Sequence, residues 1–128
     1  MRLLLDTHIL IWALTEPARL SAVVRSKIET SRTDVIFSAV SILEIAIKSQ
    51  IARGDFPLSP DGIYEEVIAA GFGELTVSSV AAAHVARLPL HHRDPFDRLL
   101  VAQAIVEPAY LYTVDKQLRT YSELVTVV

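Results

Sequence analysis

Short apolar segments alternate with segments of helical periodicity along the whole chain, and this alternation constrains the fold more than any other feature. Strands separated by helices are typical of open, mainly parallel sheets that helices cover on both faces. The apolar runs predict strands at residues 2–5, 34–37, 74–77, 109–114 and 124–128. The sequence therefore predicts an α/β domain with three layers, α/β/α, around a mainly parallel sheet of four to five strands.

Capping residues and helical periodicity mark the segments between these strands. Ser21 is a candidate cap for one helix, and Ser59 followed by Pro60 is a strong start signal for another. The periodicity predicts helices at residues 8–14, 20–31, 41–52, 60–71, 79–88, 94–106 and 115–121. The third is expected to stop near Gly54 and the fourth near Gly71.

Size and composition limit the classes of protein that fit. With 128 residues and no linker-like stretch, residues 1–128 are expected to form a single domain. The chain has no cysteine, which excludes disulfides and thiolate metal sites and fits the cytoplasm. The apolar run in MRLLLDTH is too short for a signal peptide, since a charged residue follows after three leucines. No apolar run in the sequence approaches the length of a membrane span. The net charge of −3 carries no nucleic-acid signature, although an acidic metal pocket with basic residues at its rim would still admit RNA.

Four carboxylates follow or adjoin the predicted strands. Asp6 ends LLLD, Glu44 belongs to SxxE, Asp97 belongs to DPFDRLLVAQA, and Asp115 ends YLYTVD. In a parallel sheet these positions converge on one edge, where four acids repel each other unless a cation is bound. Oxygen ligands without cysteine suit a hard cation, so the pattern predicts Mg²⁺ or Mn²⁺ rather than zinc.

Each acid also has a purely structural interpretation as a helix cap. Asp6 and Asp115 each precede a predicted helix, and Ser41 with Glu44 fits a capping box. In DPFD, Asp94 fits the cap position, and Asp97 lies in the first turn, where the helix dipole favours a negative charge. Caps do not have to converge in space whereas metal ligands do, and we therefore favour the metal site.

At these residues the chain resembles a known family. LLLDTHILIWAL, SAVSILEIAIK, DPFDRLLVAQA and YTVD together are similar to PIN-domain ribonucleases, and most of all to the VapC-type toxins of type II toxin–antitoxin systems. The resemblance runs from Arg2 to about Tyr121, and DPFDRLLVAQA after HHR is its most specific part.

The resemblance implies a PIN fold and Mg²⁺-dependent endoribonuclease activity that leaves 5′-phosphate and 3′-hydroxyl ends. It also implies an RNA substrate and inhibition by a cognate antitoxin. The catalytic and metal-binding residues that it implies are Asp6, Glu44, Asp97 and Asp115, with Asp115 the most variable position in the family. Asp6 and Asp97 are expected nearest the metal, with the other two acids acting partly through water.

Other polar residues carry weaker predictions. Arg93 and Arg98 flank the third acid and are the best candidates for contacts with RNA phosphates. His91 and His92 are expected in an exposed loop and not as metal ligands, and Lys48 is expected to pair with Glu44 four residues earlier.

The threonines beside the acids and the single tryptophan are less specific. Thr7 and Thr113 are candidates to orient the site by hydrogen bonding, although a cap and an ordinary strand residue are the plain alternatives. Trp12, in a short and strongly apolar helix, is expected in packing or an interface.

The apolar fraction of 52% and the mean hydropathy of +0.39 predict that a partner covers some apolar surface. A homodimer and an antitoxin helix are the expected partners. Three other functions remain as alternatives: an Mg²⁺-binding phosphoacceptor domain for signalling, a HAD-type phosphohydrolase, and a non-catalytic PIN scaffold. The first two usually have a second acid near Asp6, where this chain has Thr7 and His8.

Overall fold

The computed structural model of the chain describes residues 2–30, 34–51 and 59–128. In these residues, five strands form one sheet, and their bounds are β1 (Leu3–Leu5), β2 (Val35–Ser38), β3 (Gly73–Leu75), β4 (Tyr110–Thr113) and β5 (Val125–Val127). The strand order is β3-β2-β1-β4-β5, and every neighbouring pair is parallel. The prediction of a mainly parallel sheet with four to five strands is confirmed.

Helices alternate with the strands, as the periodicity predicts. The α-helices are α1 (Thr7–Thr15), α2 (Ala22–Thr30), α3 (Ala39–Ile51), α4 (Pro60–Ala69), α5 (Ser79–His84) and α6 (Pro95–Val106). Short 3-10 helices span Pro17–Arg19, Val85–Arg87 and Lys116–Tyr121. None of the helices within the described ranges is long and apolar enough to cross a membrane.

Several helix ends follow the predicted signals. Ser59 caps α4 by accepting a hydrogen bond from the backbone N–H of Gly62, with Pro60 at the first helical position. Gly71, which follows this helix, has φ of 83°, a left-handed conformation that glycine adopts at little cost. The predicted stop of the preceding helix near Gly54 lies outside the described residues.

The sheet separates two apolar cores, because alternate side chains of a strand point to opposite faces. In β1, Leu3 and Leu5 contribute to the core formed with α1, α2, α3 and α4, whereas Leu4 contributes to the core formed with α6. All three leucines are buried, as expected for a central parallel strand covered on both sides. The three-layer α/β/α architecture is thereby confirmed.

The strand order places a crevice at the carboxyl end of the sheet. From β1 the chain moves outward to β2 and β3 on one side, and then crosses to β4 and β5 on the other. The direction of winding therefore changes between β1 and β4, the place where open α/β sheets usually bind ligands. Leu5 of β1 is in register with Tyr112 of β4, so the residues that follow these two strands are neighbours.

Candidate metal centre

Asp6 and Asp115 meet at this change of winding through a shared threonine. Asp6 caps α1, because its Oδ1 accepts a hydrogen bond from the backbone N–H of Ile9 at 2.8 Å. Its Oδ2 accepts a hydrogen bond from the hydroxyl of Thr113, the last residue of β4. The Thr113 Oγ1 in turn accepts from the backbone N–H of Asp115 at 3.0 Å. Thr113 therefore orients both acids, as its sequence position suggests.

Asp97 enters the site in the first turn of α6, and Asp94 caps that helix. The Asp94 Oδ1 accepts hydrogen bonds from the backbone N–H groups of Phe96 at 2.8 Å and Asp97 at 3.2 Å. The assignment of Asp94 as the cap is confirmed. Among the described residues no hydrogen bond reaches the Asp97 carboxylate, although its side chain is only 24% exposed. This carboxylate therefore remains available to a ligand.

Glu44 is buried on α3 and is held on both of its oxygens. Its Oε1 accepts a hydrogen bond from the Thr7 hydroxyl at 2.8 Å, and its Oε2 lies 2.6 Å from the ammonium of Lys48. The predicted ion pair between Lys48 and Glu44 is confirmed. The interpretation of Ser41 and Glu44 as a capping box is wrong: α3 already begins at Ala39, and the Ser38 Oγ accepts from the backbone N–H at position 40.

His92 joins the acids, contrary to the expectation of an exposed loop. Its Nε2 lies 2.8 Å from the Asp115 Oδ2 and 3.7 Å from the Asp97 Oδ2. One ligand atom from each of these three residues lies within 4.8 Å of the other two. A histidine in a loop before a helix has no signal of its own in the sequence, apart from its place in the HHRDPFD segment. The backbone N–H of His92 donates a hydrogen bond to the hydroxyl of Tyr121, which lies far along the chain.

Burial raises the pKa of two of the acids. The pKa of Asp97 rises from 3.8 to about 7, mainly because the group is buried and also because the carboxylates of Asp94, Glu44 and Asp6 are near, while His92 acts in the opposite direction. Burial also raises the pKa of Asp6, against the hydrogen bonds from Thr113 and Ile9. The charges of Glu44 and Asp6 therefore act on Asp97, and Asp115 lies close to Asp97 at His92.

Capping and clustering turn out to be compatible for Asp6 and Asp115. In each residue Oδ1 caps a helix, since the Asp115 Oδ1 accepts from the backbone N–H of Gln117 at 2.9 Å. In each residue Oδ2 faces the cluster, on Thr113 for Asp6 and on His92 for Asp115. A carboxylate has two oxygens, so one oxygen can cap a helix while the other faces the cluster of acids.

The donor set fits a hard divalent cation. Carboxylate oxygens predominate, and the Asp97 carboxylate is partly buried beside other acids without a hydrogen-bonded partner among the described residues. Such a group needs either a proton or a cation. Asp97 and Asp115 each place a carboxylate oxygen within 4.8 Å of a ring nitrogen of His92, and Asp6 is linked to Asp115 through Thr113. The expectation that Asp6 and Asp97 lie nearest the metal stays a prediction.

The two candidate phosphate contacts differ in their surroundings. The Nη2 atom of Arg98 donates to the carbonyl oxygens of Val85 at 3.2 Å and Leu88 at 3.1 Å. This guanidinium is therefore engaged in joining the end of the 3-10 helix Val85–Arg87 to α6, and the prediction that it contacts RNA is not supported. Arg93 is exposed beside the site and stays the better candidate.

Comparison with known proteins places these features in a family. The family model of the PIN domain matches residues 3–124. Ribonuclease VapC22 of Mycobacterium tuberculosis is 32% identical over 122 residues, which cover 92% of this chain and 90% of that protein. The chain also superposes on VapBC2 from Rickettsia felis bound to a promoter DNA fragment, with a TM-score of 0.70 and 13% identity, covering 100% of this chain and 98% of the other. DNA-bound VapBC from Salmonella typhimurium gives a TM-score of 0.72 and 13% identity, covering 100% and 97%.

Proposed function

Because the chain belongs to the PIN domain family, we propose that it is a metal-dependent endoribonuclease of the VapC type, a toxin that a cognate antitoxin neutralises. The observation that carries the proposal is the cluster of Asp6, Glu44, Asp97 and Asp115 at the change of winding, with the Asp97 carboxylate available. Membership of this family argues against the two alternatives of a phosphoacceptor domain and a HAD-type phosphohydrolase. The intact acid cluster disfavours the non-catalytic scaffold. With RNA as the proposed substrate, we also propose that the protein acts in the cytoplasm.

The mechanism follows from what each side chain can hold. A bound Mg²⁺ or Mn²⁺ polarises a phosphoryl oxygen and lowers the pKa of a bound water. Asp97 would hold the cation together with Asp6 and Asp115, and Asp97 must release its proton for this purpose, because its pKa is raised to about 7. Glu44 adds negative charge to the site. The hydroxyls of Thr113 and Thr7 hold the side chains of Asp6 and Glu44 in place.

The rim of the site supplies positive charge for the phosphate backbone. The Lys48 side chain is 48% exposed and projects its ammonium over the Glu44 carboxylate, and Arg93 is exposed in the adjoining loop. Phosphate contacts of this kind position the RNA strand without reading its sequence. Attack of water in line with the leaving 3′-oxygen would give 5′-phosphate and 3′-hydroxyl ends.

Metal dependence is the first test. The purified protein is expected to cleave RNA with Mg²⁺ or Mn²⁺, to lose the activity in EDTA, and to regain it when either ion is added in excess. Products should be degraded by an exonuclease that requires a 5′-phosphate. Protein carrying Asp97→Asn and purified in the same way controls for contaminating nuclease. Cleavage that continues in EDTA, or products with 5′-hydroxyl ends, would contradict the proposed chemistry.

Association with other chains is part of the proposed function. The most exposed large apolar side chains among the described residues are Val23, Leu43, Ile51, Ile68, Val80 and Leu90. Two of them lie on α3 and two others on α2 and α4, the helices of one face of the sheet. Both structural neighbours are VapBC proteins, which supports an antitoxin as the partner. A homodimer would bury further apolar area.

Light scattering of the protein co-expressed with the adjoining reading frame tests this association. We expect a complex with a small partner and a mass of at least twice that of the chain. A strict monomer at micromolar concentration, together with no small partner bound, would contradict both the homodimer and the antitoxin.

A further inference from the structure

The loop before α6 holds the His92 side chain through three contacts. The backbone N–H of His92 donates to the Tyr121 hydroxyl at 2.8 Å. The ring Nδ1 accepts from the backbone N–H of Asp94 at 3.0 Å, and the ring Nε2 faces the Asp115 Oδ2 at 2.8 Å. The side chain is 15% exposed. The ring is therefore fixed in both position and orientation.

These contacts determine which ring nitrogen carries the proton. A nitrogen that accepts a hydrogen bond from a backbone N–H offers its lone pair, so Nδ1 is unprotonated. The proton must then lie on Nε2, which donates it to the Asp115 carboxylate. If Nε2 bound a metal ion instead, the proton would move to Nδ1 and would point at the N–H of Asp94. Two donors would then face each other in a partly buried loop.

We propose that His92 is a positioning residue that holds the Asp115 carboxylate beside Asp97 by donating a hydrogen bond, and that it does not bind the metal ion itself. This inference rests on the proposed metal-dependent function. Both Asp115 oxygens are then fixed, Oδ1 by the N–H of Gln117 and Oδ2 by His92. The metal ligands that remain are carboxylate oxygens, a set that favours Mg²⁺ or Mn²⁺ over zinc.

Asp94 contacts both His92 and the start of the helix that carries Asp97. Its backbone N–H selects the tautomer of His92, and its side chain caps the helix whose first turn carries Asp97. The backbone of this residue therefore sets the orientation of the donor to Asp115, and its side chain stabilises the start of the helix that carries Asp97. This explains how a single short loop can align two acids that come from different strands and helices.

Direct binding of Mn²⁺, measured by calorimetry without RNA, tests the inference. The variants are His92→Leu, which removes both ring hydrogen bonds, and His92→Gln, whose amide can accept from Asp94 and donate to Asp115. His84→Leu is the matched control, because His84 lies at the end of α5 and its side chain makes no hydrogen bond among the described residues. We expect His92→Leu to weaken Mn²⁺ binding about 10–100-fold and His92→Gln to restore it to within about threefold, as for groups that orient a metal ligand. His84→Leu should bind Mn²⁺ as the unaltered protein does.

The outcomes separate this inference from the proposed function. Equal binding by the unaltered protein and His92→Leu, or binding by His92→Gln as weak as by His92→Leu, would overturn the positioning role. If the unaltered protein binds no Mn²⁺, the proposed function fails and the inference fails with it. Should His92→Leu not fold, nitrogen NMR of the unaltered protein decides: the neutral Nε2–H form supports the inference, and the Nδ1–H form refutes it.

Discussion

Asp97→Asn and Asp6→Asn are each expected to abolish RNA cleavage while leaving the fold intact. Stabilisation of charge by a bound metal contributes several kcal/mol to such reactions, so we expect a loss of roughly 10³-fold or more in rate for each variant. Asparagine at position 97 breaks no hydrogen bond among the described residues. Asparagine at position 6 keeps an oxygen for the backbone N–H of Ile9 but loses the acceptor for the Thr113 hydroxyl. Single-turnover cleavage of a labelled RNA measures the rate of each variant.

Asp94→Ala is the matched control, because it removes a carboxylate from the same helix start. The loss of this N-cap should reduce the free energy of unfolding by about 0.5–2 kcal/mol. Cleavage should persist, since the hydrogen bonds of the Asp94 side chain within the described residues go to backbone N–H groups of α6. If Asp94→Ala is fully stable but inactive, or if Asp97→Asn remains active, the roles assigned within DPFD are wrong.

Much of the fold could be predicted because local and long-range signals agree. Each apolar run of the right length became a parallel strand, and the start of α4 at Ser59 and Pro60 followed from capping alone. The start of α3 did not, because the sequence predicts a cap at Ser41, whereas the Ser38 hydroxyl accepts the backbone N–H at position 40. Ser38 is selected because β2 stays buried up to that residue, and the chain turns into the helix directly from the strand. This depends on the rest of the sheet and is not visible in the local sequence.

The site was predictable to the extent that it depends on topology. Residues that follow parallel strands converge, which brings Asp6 close to Asp115. The sequence could not show that Asp6 and Asp115 cap helices and also face the cluster. Both roles arise in the same way, because each residue begins a helix at the carboxyl edge of the sheet. The sequence also could not place His92, which is held by Tyr121, 29 residues later, and by Asp115. Nor could it show the partners of Arg98, because the carbonyl groups of Val85 and Leu88 lie 13 and 10 residues earlier in the chain.

The stability of the metal-free protein is expected to fall as the pH rises from about 5 to about 8. Asp97 has a pKa of about 7 in the folded chain, against an ordinary value of 3.8. Between these two values the folded chain holds a proton that the unfolded chain has released, so stability is greatest below the lower value and is lost as pH rises through the upper one. One pKa unit corresponds to about 1.4 kcal/mol, and water screens part of this effect, so we expect a loss on the order of 2 kcal/mol over this range. The raised pKa of Asp6 acts in the same direction.

Asp97→Asn should remove most of this dependence, because the amide cannot ionise. The variant should therefore be more stable than the unaltered protein at about pH 8, and the difference should shrink towards about pH 5. Urea unfolding in EDTA at both pH values measures it, with Asp34→Asn as the control, since Asp34 is exposed and lies before β2 outside the cluster. An equal loss of stability in Asp97→Asn and in the unaltered protein would show that the ionisation of Asp97 does not cause the pH dependence. Burial of Asp97 beside other carboxylates is also what favours a cation at this site, so the unfolding experiment tests the electrostatic basis of metal binding without any substrate.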